Sequence, residues 1–235
     1  MWPIPIIQDE LVLISFSVDS IACSWIQQKT KGSPLLLLCA YERYQLTNLE
    51  LANLTLFNPT IVRNHISVFL EKYDKKDAFI AFCLDGPGVI ERFVALPTSA
   101  PARSDFEIAY SSSTIWDYYY MYHNDRGQFV FYLSIMARSL LLQYQLLAVS
   151  AQCNIIAITT KTMALFSAYK NIFGIAFRRT QLAIDMMRCN NQIEKLISAE
   201  ILKRMIIVPT DVVLRDELPY IAMACGLFCA ERMNK

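Results

Sequence analysis

Residues 78–84, AFIAFCL, constrain this chain more than any other stretch, because they are apolar at odd and even positions alike. Successive side chains of a strand point to opposite faces, so a strand apolar on both must be covered on both and lies inside a sheet flanked by helices. The strand runs into Asp85-Gly86-Pro87-Gly88 and then a second apolar run, VIERFVALP. A glycine-rich break after a buried strand is where a nucleotide-binding protein places its phosphate loop. Here Val89, Ile90 and Phe93 stand where such a loop needs its second glycine, its lysine and its hydroxyl residue. Backbone amides can turn there, but no ammonium reaches a phosphate. The break reads as a structural turn.

The rest of the composition supports a large buried core. Of 235 residues, 54% are hydrophobic and 18% charged, so packing material is ample. A net charge of +1, from 22 basic and 21 acidic side chains without blocks of like sign, gives no general field for nucleic acid or anionic lipid. No run is apolar for the ~20 residues that cross a bilayer, and the N-terminus lacks a basic leader, so the expected location is cytoplasmic. A mean hydropathy of +0.30 is high for a soluble monomer and predicts apolar surface buried against partners, a homo-oligomer among them. Seven cysteines, an odd and scattered set, read as reduced core residues. Cys225 and Cys229 share one helical spacing, but no second pair accompanies them and no metal site is expected.

Residues 10–18 and 21–28 alternate around Asp19-Ser20 and predict a hairpin, with residues 34–44 as a third strand. Asn58-Pro59-Thr60 supplies an N-cap and a proline in the first helical position, opening a helix to Tyr73 that carries His65 and Val68 on its apolar period. Residues 114–122 and 128–136 predict a second, aromatic-rich hairpin. Residues 139–152 form a helix with leucines on every side, which predicts a sandwiched helix. A strand over 154–160, a helix over 161–169, a hairpin over 171–179, amphipathic helices over 180–205 and a helix over 218–232 follow. Pro97 to Ser104 reads as the joint in the first half, giving segments 1–100, 101–170 and 171–235.

Strand hairpin, helix and strand, repeated once and closed by a late helix, is the wiring of an α/β, actin-like (ribonuclease H-like) ATPase lobe. The segments LVLISFSVDSIACSWI, NPTIVRNHISVFLEKY, AFIAFCLDGPGVIERFVALP and PYIAMACGLFCAER resemble PilM, the actin-like component of type IV pilus assembly machines. A looser resemblance extends to the cytoplasmic region of the type II secretion component GspL. The resemblance implies two β-meander and helix units and attachment at the inner membrane through a partner, and the chain's scarcity of glycine after residue 164 implies that the second lobe is reduced. It also implies a partner: the cytoplasmic tail of a single-pass inner-membrane protein of the PilN type, held in a groove beside the second meander. By that resemblance Tyr118, Tyr120 and Tyr122, or their alternates Tyr119 and Met121, border the groove.

The chain departs from the family where nucleotide chemistry resides. An Asp-x-Gly-Ser element is matched here by Ser15, Phe16, Ser17 and Val18, so the magnesium-positioning acid and its glycine are absent. Asp19 is displaced and reads as a turn residue. Six glycines, with Gly174 alone between Ala164 and Pro219 where the fold expects its second phosphate loop, are too few for two phosphate-gripping loops. The expectation is therefore a pseudo-ATPase adaptor with no catalytic residue, no cofactor, no metal and no nucleic acid partner. The alternative is an actin-like ATPase that holds ATP and Mg through divergent loops. Ser111, Ser112 and Ser113 with His123 and Asp125 lack a nucleophile elbow and read as a solvated loop. Asp85, at the end of a central strand where catalytic acids often stand, reads first as a helix-capping or turn-stabilising residue. Arg178, Arg179, Lys195, Lys203 and Arg204 read as a solvated helix face.

Overall fold

Alternating apolar residues build the opening of the chain as expected. The structure, a computed structural model, describes residues 9–29, 35–106, 113–173, 178–189, 192–212 and 214–233. Strand β1 (Glu10–Phe16) pairs antiparallel with β2 (Ser20–Gln28), which pairs antiparallel with β3 (Leu36–Gln45). A short hairpin that sequence did not signal follows, β4 (Leu51–Ala52) and β5 (Thr55–Leu56), with Asn53 and Leu54 both at positive φ. Helix α1 (Pro59–Lys72) begins at the predicted cap: Ile61 N–H donates to Asn58 Oδ1 at 3.4 Å. Its Val68, expected on the apolar stripe, is exposed, and His65 lies half-buried with its ring 4.6 Å from that of Tyr44.

Strand β6 (Phe79–Leu84) is the interior strand that its two apolar faces require. It lies between β1 and β10 (Asn154–Thr160), parallel to both, in a sheet ordered β10-β6-β1-β2-β3 with β11 (Ile206–Ile207) added parallel to β3. Ile80, Phe82 and Leu84 join one core, with α1 and α2 (Arg138–Ser150). Ala81 and Cys83 join the other, with α3 (Lys161–Phe173), α4 (Arg179–Arg188) and α6 (Leu214–Met233). Phe16, Phe82 and Tyr144 meet edge to face, the first at 5.1 and 4.6 Å from the other two.

Beyond the glycine break, β7 (Val89–Leu96) leaves this sheet. It pairs with β9 (Phe129–Ala137), which pairs in turn with β8 (Thr114–His123), making a separate three-stranded antiparallel sheet. The break therefore joins two sheets, not two neighbouring core strands.

Its glycines have a steric reason. A methyl on Gly86 would lie 3.0 Å from Leu54 Cγ, and one on Gly88 would lie 3.0 Å from Leu140 Cδ2 and 3.1 Å from the Asn53 carbonyl oxygen. The hairpin of β4 and β5 presses on the turn, and Tyr144 Oη fixes that hairpin by donating to the Leu54 carbonyl at 2.9 Å.

Three sequence expectations fail in this half. Helix α2 is not sandwiched: Leu142, Leu146 and Val149 are 49%, 68% and 75% exposed, while Leu140, Tyr144 and Leu147 carry its buried face. Leucine on every side of a helix cannot itself say which side meets a partner. The hairpin expected over 171–179 is absent from its described residues, since α3 continues to Phe173 and α4 starts at Arg179. The amphipathic run after it breaks into α4, a single 3₁₀ turn at residues 193–196 and the one-turn α5 (Ala199–Leu202). Ser111, Ser112, Gly174 and the turn at 31–34 lie outside the described residues.

The closing helix runs from Leu214 through Pro219 and packs face to face with α3. At the crossing a methyl on Gly226 would sit 1.8 Å from the Ala164 carbonyl oxygen, so the two backbones touch where Ala164, Ala168 and Gly226 meet. Its first turns are tied to β3, where Tyr41 Oη donates to Glu217 and the Arg43 guanidinium lies over the Tyr220 ring at 4.8 Å.

Candidate functional site

The carboxyl ends of β6 and β10 and the inner face of the small sheet converge on two linked depressions. The first, a polar cavity of about 210 Å³, is lined by Asp85, Glu91, Lys161, Thr162 and Glu194 among others. Asp85 is the residue after β6, and Lys161 opens α3 straight after β10. The Lys161 ammonium sits 3.3 Å from Asp85 Oδ1 and 3.1 Å from Glu194 Oε1. Burial works against its charge, but the Asp85 and Glu194 carboxylates outweigh burial and raise its pKa. Burial also raises the Asp85 pKa against the pull of Lys161. Asp85 is thus a partner in an ion-pair bridge, beyond the turn role that sequence favoured.

Glu91 reaches the same cavity from β7. Its carboxylate accepts from Thr160 Oγ1 at 2.6 Å and from Thr162 Oγ1, and burial raises its pKa although both hydroxyls oppose the shift. The register places Glu91 opposite Ser134, and Ser134 opposite Asp117. These three form one polar row across the inner face of the small sheet, leading away from the cavity.

That row ends at the second depression, a cleft of about 220 Å³ between β8 and β10. Each is the last strand of its sheet. Ile115, Trp116, Asp117 and Tyr119 from β8, Ser134 and Met136 from β9, Leu141 from α2, Ile158 to Thr160 from β10, and Met163 from α3 line it. The cleft is apolar at its floor and carries one acidic side chain, Asp117, between Ile115 and Tyr119 along β8. Asp117 accepts from the Tyr118 N–H at 2.8 Å and from Tyr119 Oη at 3.4 Å, and among the described residues it forms no ion pair.

The three tyrosines singled out in the sequence do not share a face. A bulge between Tyr120 and Tyr122 puts Tyr118 opposite Leu133, Tyr120 opposite Phe131 and Tyr122 opposite Val130. One extra residue in a strand reverses the alternation beyond it. Tyr118 and Tyr120 therefore stand on the outer face, where Tyr118 stacks on Trp116 at 5.7 Å and both meet Phe131. Tyr122 and the buried Met121 turn into the core beneath α4 and α6. Tyr119 is the tyrosine that borders the cleft. Asp117, Ser134 and Glu91 were missed; their inward register was the available signal, but it needs the strand pairing to be seen.

At the first hairpin, Ser15 is 1% exposed and its hydroxyl has no partner among the described residues. Ser17 and Ser20 close the turn on themselves through hydroxyls 2.7 Å apart, and Asp19 points to solvent. His123 packs on Phe129 with their rings 4.8 Å apart.

No protein-family model matches the chain, and no curated protein matches its sequence. Among solved structures it is similar to a chain of the PilM-PilN type IV pilus biogenesis complex, with a TM-score of 0.55 and 12% identity over 68% of this chain and 50% of that one. It is also similar to the cytoplasmic domain of EpsL, an inner membrane component of the type II secretion system of Vibrio cholerae, with a TM-score of 0.42 and 10% identity over 66% and 58% of the two chains. T. thermophilus RuvC in complex with a Holliday junction substrate gives 0.45 and 9% over 97% of each. The chain spans about half the length of the first of these. The chain itself has three antiparallel strands, two further strands parallel to the first, and helices on both faces of that sheet. The chain has a PilM-like, actin-like α/β fold.

Proposed function

We propose that this chain is a non-catalytic adaptor that holds an extended tail of a single-pass inner-membrane subunit, in a platform of the type IV pilus or type II secretion kind. The observation that carries this reading is the cleft between β8 and β10, two sheet-end strands with an apolar floor between them. Such edges take an added strand through backbone hydrogen bonds, and pockets between them receive its alternate side chains. The similar structure is itself of a complex, PilM with PilN.

The adaptor reading draws further support from the poor fit to a magnesium nucleotide. The acid position of the first hairpin is a sealed serine, the Gly-Pro-Gly turn is filled by Leu54 and Leu140, and the polar cavity sets three carboxylates against one ammonium. That balance repels a phosphate that brings no cation of its own.

The test uses a purified tail from the candidate membrane subunit and two tyrosines that are equally exposed on opposite faces of β8. Tyr119→Ala is expected to weaken binding about tenfold, as loss of a central aromatic contact does, and Tyr120→Ala to leave it unchanged. The reverse pattern moves the docking face to the outer tyrosines Tyr118 and Tyr120; no binding by the unaltered chain rejects the adaptor.

The second reading, an ATPase with divergent loops, is favoured by the place of the polar cavity, at the carboxyl ends of central strands where α/β proteins bind ligands. Saturable, magnesium-dependent heat on titration with ATP, lost in Lys161→Met, would establish it over the adaptor.

A further inference from the structure

The overall charge of the chain is close to neutral, yet the two linked depressions are not. Among the described residues, Asp85, Glu91, Glu194 and Asp117 face them, against Lys161 alone. Lys161 is committed to Asp85 and Glu194, and Glu91 to the two threonine hydroxyls. Asp117 has only hydrogen-bond donors of its own strand. It is two strands from Glu91 along the polar row, on the order of 10 Å, close enough for the second carboxylate to deepen the local potential. On one side of Asp117 the cleft turns apolar. Ile115, one same-face step from Asp117, pairs with Met136, and both face Leu141 and Met163 across an apolar floor.

We infer that the cleft selects an extended segment carrying an apolar side chain and, two residues away on the same face, a lysine or arginine that pairs with Asp117. The spacing follows from the template. Same-face residues of a strand recur every second position, so a segment laid along β8 sets its own i and i+2 side chains against Ile115 and Asp117. The acidic rim excludes an acidic segment as much as it attracts a basic one, and specificity arises from that difference. The inference rests on the adaptor reading of the cleft, and its test separates the two.

The probes are capped synthetic peptides, about ten residues of strand-forming sequence, with Leu-Thr-Lys, Leu-Thr-Gln or Leu-Thr-Glu at the centre. Binding is followed by the methyl resonances of Met136 and Met163, both in the cleft wall. The lysine peptide is expected to bind about three- to fivefold tighter than the glutamine peptide, the scale of a rim ion pair, and the glutamate peptide weaker than both. Asp117→Asn should level the three, and Asp117→Lys should reverse their order, a readout that a merely structural role for Asp117 does not give. Equal affinities in the native chain, or an order that survives Asp117→Lys, overturn the inference while leaving the cleft as a docking site. Peptide binding that does not perturb the Met136 and Met163 methyls rejects the cleft reading itself, and the inference with it.

Discussion

At the residue scale, packing alone fixes the identity of one glycine. Gly226 has no room for a side chain, since its methyl would stand 1.8 Å from the Ala164 carbonyl oxygen. Gly226→Ala is expected to force α6 from α3 and cost about 3 kcal/mol, the upper end for overpacking, read as a lower urea midpoint with unchanged slope. Glu91 makes a second residue-scale case. Its carboxyl is held above the ordinary 4.5 by burial, so folding takes up a proton there. That contribution is full below pH 4.5 and is lost as the pH climbs through the raised value. Glu91→Gln removes the titration, and its melting temperature is expected to vary less than that of the native chain between pH 4.5 and 7; parallel curves would assign the pH dependence elsewhere. Residues of this kind were legible to different degrees. The missing acid at Ser15 could be read directly, because a residue type is visible in a string. The Glu91, Ser134 and Asp117 row could not, because it joins three strands whose register is set by tertiary pairing.

At the element scale, periodicity named most of the strands and helices but not their neighbours. The cap at Asn58, the two-faced β6 and the aromatic hairpin of β8 and β9 were each fixed by local residues. The bulge at Met121 and the exit of β7 into a second sheet were not, because neither changes the local alternation enough to be read. Helix α2 is the sharpest instance. Adjacent residues Leu146 and Leu147 look equivalent in sequence, but one is 68% exposed and the other is in the core. Leu147→Ala is expected to cost about 2–5 kcal/mol, and Leu146→Gln no more than about 0.5 kcal/mol. Tyr144→Phe, which keeps the ring among Phe16 and Phe82 but leaves the Leu54 carbonyl without its donor, is expected to fall between them at about 1–2 kcal/mol. Chemical denaturation of the three variants orders them; an equal loss from Leu146→Gln and Leu147→Ala would mean that α2 is covered on both sides, as the leucine pattern alone predicts.

At the scale of the whole molecule, the two sheets meet through Glu91. Its carboxylate on β7 is gripped by Thr160, the last residue of β10, and by Thr162 in the first turn of α3, so one side chain staples the small sheet to the central one. Those same bodies are the walls of the cleft, with β8 on one side and β10 on the other. Thr162 lines the polar cavity and not the cleft, which makes it the place to ask whether the two depressions act together. Thr162→Val keeps the volume of the side chain and leaves a buried carboxylate short of one donor. The expected cost is about 1.5–3 kcal/mol in global stability, the range for hydrogen bonds to charged groups. If the staple also holds the cleft at its working width, peptide affinity falls severalfold in the same variant although every cleft residue is unchanged, because a looser cleft must be ordered on binding. Lower stability with native peptide affinity would confine the staple to folding, and would make the polar cavity and the cleft energetically separate sites that share only a wall.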